Sequence, residues 1–519
     1  MIRQLLLAMF LCSAFSAQAA TLNRANPSEP ESLDPHKAGI EAEENIIADM
    51  LIGLTAPDAG GKPIPGAAES WEVSADGKIW TFHLRKENWS DGVPVTADDF
   101  VFAWRRLLDP KTASRYAYNL WLVKNAQAVT SGKLPLSALG VTAKGDRTLV
   151  VELEHPALYL PEVLANISAV PLPRHVLEKA GDIFARPGAS VVNGPYLLKE
   201  WVPNDHILLV KNPRFYDAAN VRIDSVSYTP IPDPGAALKR YRAGELDTLD
   251  PFPVAQIDWI RANLPHDLRV APMLAVAYLP LNLADPALKD VRVRRALNLA
   301  YDREPVVEKI LKLGEPAAYG YVPPGVANYP GGAAMDFKAM PYPARLAEAR
   351  KLMQAAGYGP FNRLRLTFST TTSPDSRRVA AAFQAMMTQI FVDLRIENSD
   401  QQIFFRNLHL HQFQIGRAVW LADFNDASNF LDLLRSNSGN NYAGYRNPKY
   451  DAALDAAANE PDAKKRGQIL LGAEKILTAD YPWIPERFYS QTVMVKPYVK
   501  GWVTNIRLAN RTRWLWIQK

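Results

Sequence analysis

The chain has 519 residues, of which 48% are apolar, 22% are charged and 40 are proline, and it contains one cysteine. This length and apolar fraction predict two or three packed lobes with sizeable cores and exclude an intrinsically disordered chain. The formal net charge of +5 is small for the length, and no dense run of Lys and Arg occurs. We therefore expect no nucleic-acid partner.

The first 19 residues have the three parts of a secretory signal peptide. Arg3 gives the positive start, residues 5–11 form the apolar segment, and Ala17 and Ala19 frame an A-x-A cleavage site. The alternatives are an N-terminal membrane anchor and a lipoprotein attached through Cys12. The apolar segment is too short to span a bilayer, and Cys12 directly continues it without small residues before it. We therefore expect cleavage near Ala19 and an exported, periplasmic mature chain that has no disulfide.

Strand and helix patterns alternate along the rest of the chain. Residues 79–84 alternate like a half-buried strand, and Thr96 with Asp99 forms a capping box that opens a helix through Leu107. These patterns predict a mixed α/β protein with more than one lobe. Further strands are predicted over residues 148–153, 207–211, 223–230 and 364–369, and long helices over residues 291–300, 344–356, 377–390 and 462–477.

The sequence contains none of the common catalytic or phosphate-binding motifs. G-x-S-x-G, H-E-x-x-H, the P-loop and G-x-G-x-x-G are all absent, and the mature chain offers no cysteine nucleophile. His409 and His411 are spaced to share one face of a strand and to offer two metal ligands, but no third ligand can be identified. We therefore predict no enzyme, no metal and no cofactor.

Five groups of segments carry a joint signal that none of them carries alone. They are residues 68–71 with 80–82 and 89–100, residues 193–196 with 211–213, residues 241–247, Asn282 with residues 290–296 and 302–303, and residues 417–425. In this order along the chain they resemble the oligopeptide/dipeptide-binding family of extracytoplasmic solute-binding proteins. Members of that family are the capture subunits of peptide ABC importers. The resemblance spans essentially the whole mature chain.

The resemblance implies a periplasmic-binding-protein-like, two-lobed α/β clamshell with an additional small domain. Lobe I would combine residues 20–50, 174–274 and 491–519, the additional domain II would be residues 51–173, and lobe III would be residues 275–490. Ligand would be buried between lobes that close by a rigid-body hinge motion. We expect a monomer that passes short peptides to inner-membrane ABC permease subunits.

The resemblance also implies ligand contacts within residues 417–425. Asp423 would bind the α-ammonium group of a peptide, because a buried ammonium needs a carboxylate partner. Arg417 matches a basic position and would bind the ligand carboxylate. Without the resemblance, Asp423 reads first as a cap or turn residue, and each aromatic residue could instead belong to a core. The other predicted pocket residues are aromatic, aliphatic or amide side chains: Tyr116, Tyr278, Val419, Trp420, Leu421, Asn440 and Tyr489.

The sequence departs from the family pattern mainly where the ligand carboxylate would bind. Leucines and an aspartate stand at three basic positions, Gly39 and Pro280 stand at two acidic positions with Glu41 nearby, and a cysteine pair is absent. The preference for ligand length therefore stays open. The substituted basic positions are Leu311, Asp375 and Leu408, and the cysteine positions hold Ala275 and Leu421.

Three alternatives to peptide transport follow from the same residues. A protein of this fold could bind a murein peptide, an opine-like conjugate, heme or a nickel chelate, and the last two would be favoured if His409 and His411 faced the cleft. An exported hydrolase is disfavoured because no nucleophile–base arrangement is found. A receptor that reports its ligand to a sensor has the same sequence features as a transport protein.

Overall fold

The computed structural model describes residues 20–250, 252–507 and 510–518, so the predicted signal peptide lies outside the described residues. The strands, labelled β1 to β18 in chain order, are Thr21–Asn26, Thr55–Pro57, Pro63–Pro65, Ala68–Val73, Ile79–Leu84, Val141–Ala143, Thr148–Glu152, Tyr196–Val202, His206–Lys211, Ser225–Pro230, Thr248–Leu249, Leu268–Pro280, Leu364–Thr371, Val392–Ser399, Ala418–Leu421, Trp483–Val495, Val499–Lys500 and Trp516–Ile517.

The α-helices, labelled α1 to α15 in chain order, are Glu41–Met50, Ala97–Leu108, Ala126–Thr130, Leu160–Val163, Arg174–Ala180, Pro234–Arg242, Ile257–Asn263, Val291–Ala300, Arg303–Pro305, Tyr342–Ala355, Pro374–Thr388, Gln401–His409, Ser428–Leu431, Pro448–Ala458 and Ala463–Asp480. Short 3-10 turns join several of them. Among the helices of the described residues, none combines the length and the apolar character that a membrane span requires.

The predicted strands and helices are confirmed, and most differences lie at their ends. The capping box forms as predicted, because the Asp99 carboxylate accepts the backbone N–H of Thr96 at 2.9 Å. Helix α8 has the predicted bounds. Helix α11 begins at Pro374, three residues before the prediction, because the Ser373 hydroxyl accepts the backbone N–H of Ser376 at the start of the helix.

The predicted strand face of His409 and His411 is wrong. His409 is the last residue of helix α12, and His411 follows in a turn with a positive φ of 53°. Their Nδ1 atoms instead lie against backbone carbonyl oxygens, at 3.3 Å from Gly439 and at 3.0 Å from Tyr442 respectively. The two imidazoles therefore belong to a folded turn and not to a strand.

One eight-stranded sheet runs through the molecule in the order β15-β12-β16-β11-β1-β10-β9-β8. Strand β1 pairs in parallel with β10, whereas β12 and β16, which have 13 residues each, pair antiparallel. Strand β11 joins β16 at its Met494–Val495 end, and β15 joins β12 at residues 275–278. The long β12–β16 pair therefore connects the two ends of the sheet, and its register is interrupted between Pro272 and Val276.

Two large hydrophobic cores take residues from opposite ends of this strand pair. The first is built from residues between Leu22 and Tyr228 and is completed by the C-terminal segment through Leu515. The second contains residues from Leu274 to Ile484. A separate four-stranded antiparallel sheet, in the order β4-β5-β7-β6, lies within residues 68–152 and packs into the first core. The chain is thus a mixed α/β protein with two core-bearing bodies, as predicted.

Candidate functional site

A cavity of about 470 Å³ is lined by residues from distant parts of the chain. The first turn of α1 contributes Glu41 and Glu44, and the segment after β11 contributes Asp250. The residues at the end of β15, the turn at Tyr116 and the C-terminal segment with Arg507 and Arg511 close the other sides. Among the nine predicted ligand contacts, Asp423, Tyr116 and Leu421 line this cavity.

Asp423 is the second residue after strand β15 and receives several polar contacts. The Tyr118 hydroxyl donates to its Oδ1 at 2.9 Å, and the side chain of Asn429 also hydrogen-bonds to its carboxylate. Burial raises the pKa of Asp423, although these hydrogen bonds and the charge of Arg507 act in the opposite direction. A carboxylate that has lost hydration in this way favours a cationic partner.

Trp420 is linked to Asp423 through the side-chain amide of Asn429. Its indole Nε1 donates to Asn429 Oδ1 at 2.7 Å, which leaves the NH₂ group of Asn429 for Asp423. Trp420 is half-buried. The structure therefore places Trp420 near Asp423, where it contacts Asn429 and does not line the cavity.

Glu44 is a second carboxylate of the cavity that also meets a tyrosine. Its side chain hydrogen-bonds to Tyr116, whose ring centroid lies 5.9 Å from that of Tyr118. Burial raises the pKa of Glu44, against the hydrogen bond of Tyr116 and the charge of Arg511. Two tyrosines on one turn thus contact carboxylates that come from two distant segments of the chain, helix α1 and the residues after β15.

Glu41 and Asp250 form a carboxyl pair at another wall. Burial, followed by the charge and hydrogen bond of Asp250, raises the pKa of Glu41 to about 8. Burial also raises the pKa of Asp250. Because two adjacent carboxylates repel each other, the pair retains a proton near neutral pH.

Strand β15 presents a free edge. Its even-numbered residues face β12, since the N–H of Ala422 donates to Leu274 O at 2.8 Å and pairing alternates along a strand. The backbone groups of Arg417, Val419 and Leu421 therefore point away from β12, and β15 is the last strand of the sheet. The side chains of Val419 and Leu421 are 40% and 55% exposed. This edge can accept an added extended chain.

Arg417 lies outside the cavity that holds Asp423. Its Nη2 and Nε donate to the two carboxylate oxygens of Glu486 at 2.7 and 3.0 Å, and both side chains are buried. Its Nη1 contacts Ser376 Oγ at 3.3 Å. The predicted carboxylate anchor therefore already has a carboxylate partner within the protein.

Tyr278 is 1% exposed and belongs to the second core. Its ring stacks on Trp483 with centroids 3.7 Å apart. In this structure Tyr278 is a packing residue and does not face the cavity, because its strand position points into the core below β12 and β16.

Tyr489 and Asn440 also lie away from the Asp423 cavity. Tyr489 is half-buried beneath Arg487, whose guanidinium carbon lies 4.3 Å from the ring centroid. Asn440 belongs to a turn in which its carbonyl accepts the backbone N–H of Tyr442 at 2.8 Å. Neither residue lines the cavity.

The residues that depart from the family pattern fall into three environments. Leu311 and Leu408 are buried in the second core, so these positions cannot meet a ligand charge. Asp375 pairs with Arg378 at 2.6 Å. Gly39 lines the cavity, next to Glu41.

Sequence reasoning missed Tyr118, Glu44, Asp250 and Arg507. A signal for Glu44 existed, because Glu41 and Glu44 are three residues apart and share a helix face. No comparable local signal existed for the other three, since their partners are distant in sequence. His409 and His411 do not line the cavity, and the described residues contain no group of three or more His, Cys, Asp or Glu side chains arranged to hold a metal ion. The condition that would have favoured heme or nickel is therefore not met.

Comparison with known proteins agrees with this architecture. Residues 62–442 match the family model described as bacterial extracellular solute-binding proteins, family 5 middle. The periplasmic oligopeptide-binding protein OppA of Escherichia coli (strain K12) is 37% identical over 512 residues, which are 97% of this chain and 93% of that protein.

Two solved structures show the likeness in three dimensions. The unliganded open form of the periplasmic murein tripeptide binding protein MppA has a TM-score of 0.88 at 35% identity, with 96% of this chain and 98% of that chain covered. Haemophilus influenzae OppA in complex with RPPGFSPFR has a TM-score of 0.78 at 36% identity, with 97% and 99% covered. The TM-score is thus higher against the unliganded open form than against the peptide complex, although the two identities are nearly equal.

Proposed function

The chain belongs to the bacterial extracellular solute-binding proteins of family 5, and from this premise we propose that it captures short peptides between its lobes and delivers them to an ABC-type importer. We further propose that residues 1–19 direct it to the periplasm and are removed near Ala19. The relatives named periplasmic oligopeptide-binding proteins support both the peptide and the compartment. This function requires binding and release, and no chemical step.

The observation that carries the peptide proposal is the free edge of β15 ending at Asp423. An extended peptide can pair with the outward backbone groups of Val419 and Leu421 regardless of its sequence. Its ammonium group then reaches the Asp423 carboxylate at the end of the strand. Main-chain pairing would supply affinity, and the carboxylate would fix the direction of the chain.

We propose a narrower role for Arg417 than its sequence position implies. Arg417 and Asp423 are six residues apart on an extended segment, which corresponds to roughly 20 Å. A ligand carboxylate would reach Arg417 only from an extended peptide of about six residues, and it would then compete with Glu486. Shorter peptides would have to leave their carboxylate to other groups.

The domain bounds are part of the proposal. Lobe I would be residues 20–50, 174–274 and 491–519, domain II residues 51–173, and lobe III residues 275–490. The register interruption between Pro272 and Val276 in β12 falls at one proposed boundary, and the two cores separate at the same place. The continuity of the first core supports a firm attachment of domain II to lobe I.

Native mass spectrometry of protein purified from the periplasm tests the proposal. We expect a mature mass that begins at Ala20 and a series of co-purified peptides, released on denaturation. A single murein peptide would narrow the substrate to that class, and a single non-peptide mass would contradict the peptide proposal. If the purified protein is empty, titration calorimetry with alanine peptides of two to six residues decides, and no binding of any of them would contradict it.

A further inference from the structure

Tyr118 connects domain II to the carboxylate that we assign to the ligand ammonium. It lies on the 3-10 turn Ala117–Leu120, and its hydroxyl donates to Asp423 Oδ1 at 2.9 Å over a sequence separation of 305 residues. The phenol is 40% exposed, so it stands at the surface of the cleft and not in a core. The sequence motifs of the family did not point to this residue.

The surroundings of Tyr118 hold it in this position. The Nδ2 of Asn119, the next residue of the turn, donates to Ser168 Oγ at 3.1 Å. Nearby, Tyr159 stacks on Phe424, the residue after Asp423, with centroids 4.4 Å apart and planes at 6°. Arg507 pairs with Glu162 at 3.6 Å and also donates to the Asp423 carbonyl. The Tyr118–Asp423 contact is therefore one part of a larger contact between residues of the proposed domain II and the residues that follow strand β15.

A carboxylate has about four acceptor positions, and those of Asp423 are only partly used. Tyr118 takes Oδ1, and Asn429 supplies a second hydrogen bond. Both donors are neutral, so the negative charge of the carboxylate is not cancelled by either. Two hydrogen bonds from fixed side chains restrict the rotation of the carboxylate and leave room for an ammonium group.

We propose that Tyr118 is a positioning residue for peptide binding: its hydroxyl orients Asp423 and keeps the carboxylate ionised while it waits for the ligand ammonium. This inference rests on the proposed function. The charged and titratable groups that face Asp423 are Tyr118 and Tyr116 from the turn, Glu44 from α1 and Arg507 from the C-terminal segment. Glu44 opposes ionisation of Asp423, whereas Arg507 and the Tyr118 hydrogen bond favour it.

The sign of the pH dependence follows from these contacts. The ammonium binds the ionised carboxylate, so peptide affinity falls as the pH drops through the pKa of Asp423. Loss of the Tyr118 hydroxyl removes a hydrogen bond to the charged form and raises that pKa. The acid loss of affinity in Tyr118→Phe therefore begins at a higher pH than in the wild type.

Titration calorimetry between about pH 4 and pH 7 with tri-, tetra- and penta-alanine tests the inference, because the peptide α-amine stays protonated in this range. We expect Tyr118→Phe to bind the free peptides about tenfold more weakly at pH 7, with its acid midpoint moved upward, since hydrogen bonds to charged groups are the strong ones. N-acetylated peptides, which carry no ammonium, should bind both proteins equally. Tyr358 is a half-buried tyrosine that does not line the cavity, so Tyr358→Phe is the matched control and should behave as the wild type.

The outcomes separate the two proposals. An unchanged acid midpoint in Tyr118→Phe, or an equal loss for free and N-acetylated peptides, would overturn the positioning role while leaving peptide capture in place. If no alanine peptide binds the wild type at any pH, the proposed function itself fails, and this inference fails with it.

Discussion

Arg417 and Glu486 form a two-pronged ion pair in the second half of the chain, with Nη2–Oε1 and Nε–Oε2 distances of 2.7 and 3.0 Å. Arg487 also contacts Glu486, and it pairs with Glu315 at 2.9 Å. The positive charges of two arginines are thus balanced by two carboxylates, and all four side chains are buried. Burial raises the pKa of Glu486, but Arg417 and Arg487 outweigh it and lower that pKa to about 2.

Neutralising Glu486 should destabilise the fold. In Glu486→Gln, the buried Arg417 loses its carboxylate and Arg487 keeps only Glu315, so we expect the free energy of unfolding to fall by about 3–5 kcal/mol. Urea unfolding followed by circular dichroism measures this change. Glu69→Gln, at an exposed strand position, should leave the midpoint unchanged. A midpoint of Glu486→Gln equal to that of the wild type would show that the cluster contributes little to stability.

Glu87 should make the wild type less stable in mild alkali. Burial raises the pKa of its carboxyl from 4.5 to about 7, against the hydrogen bond of Asn193 and the charge of Arg85. A folded-state pKa above the unfolded value favours the folded state at low pH, and this contribution disappears as the pH rises through about 7. Glu87→Gln removes the titration and should be more stable than the wild type at about pH 8.5, by up to about 3 kcal/mol.

Urea unfolding of the wild type and of Glu87→Gln at about pH 5 and pH 8.5 measures the difference between their free energies of unfolding. Other carboxylates titrate in both proteins, so the difference between the two isolates Glu87. We expect the difference to be small at the lower pH and large at the higher. An equal difference at both values would assign the effect to packing rather than to ionisation.

Local sequence patterns predicted the helices and strands, which depend on residues that are close together in the chain. The alternation of residues 79–84, the capping box at Thr96 and the helical pattern of residues 462–477 predicted strand β5 and helices α2 and α15, because each pattern needs only side chains a few residues apart. The burial of Arg417 could not be found in this way, since its partner Glu486 is 69 residues away. For the same reason Tyr118, 305 residues from Asp423, carried no signal in the sequence.

Truncation of Tyr278 should mainly lower stability, whereas truncation of Tyr116 should mainly weaken peptide binding. Tyr278 is stacked on Trp483 within the core, so Tyr278→Ala should lower the free energy of unfolding by about 3–5 kcal/mol. Tyr116 lines the cavity and bonds to Glu44, so Tyr116→Ala should weaken peptide binding with a much smaller loss of stability. Thermal unfolding and calorimetry of both variants measure the two effects. If Tyr278→Ala is as stable as the wild type but binds peptides poorly, Tyr278 is a ligand contact and not a packing residue.

Asp423→Asn should abolish recognition of the peptide ammonium while preserving the shape of the site. The amide keeps the size of the carboxylate and can still accept from the Tyr118 hydroxyl, so the fold should be unaffected. The ammonium, however, would be desolvated without an opposite charge, which costs about 3–5 kcal/mol of binding free energy. Calorimetry with alanine peptides should show this loss, and N-acetylated peptides should not. Asp146→Asn, an exposed control, should bind as the wild type. Near-native affinity of Asp423→Asn for free peptides would place the ammonium elsewhere, with the Glu41–Asp250 pair as the next candidate.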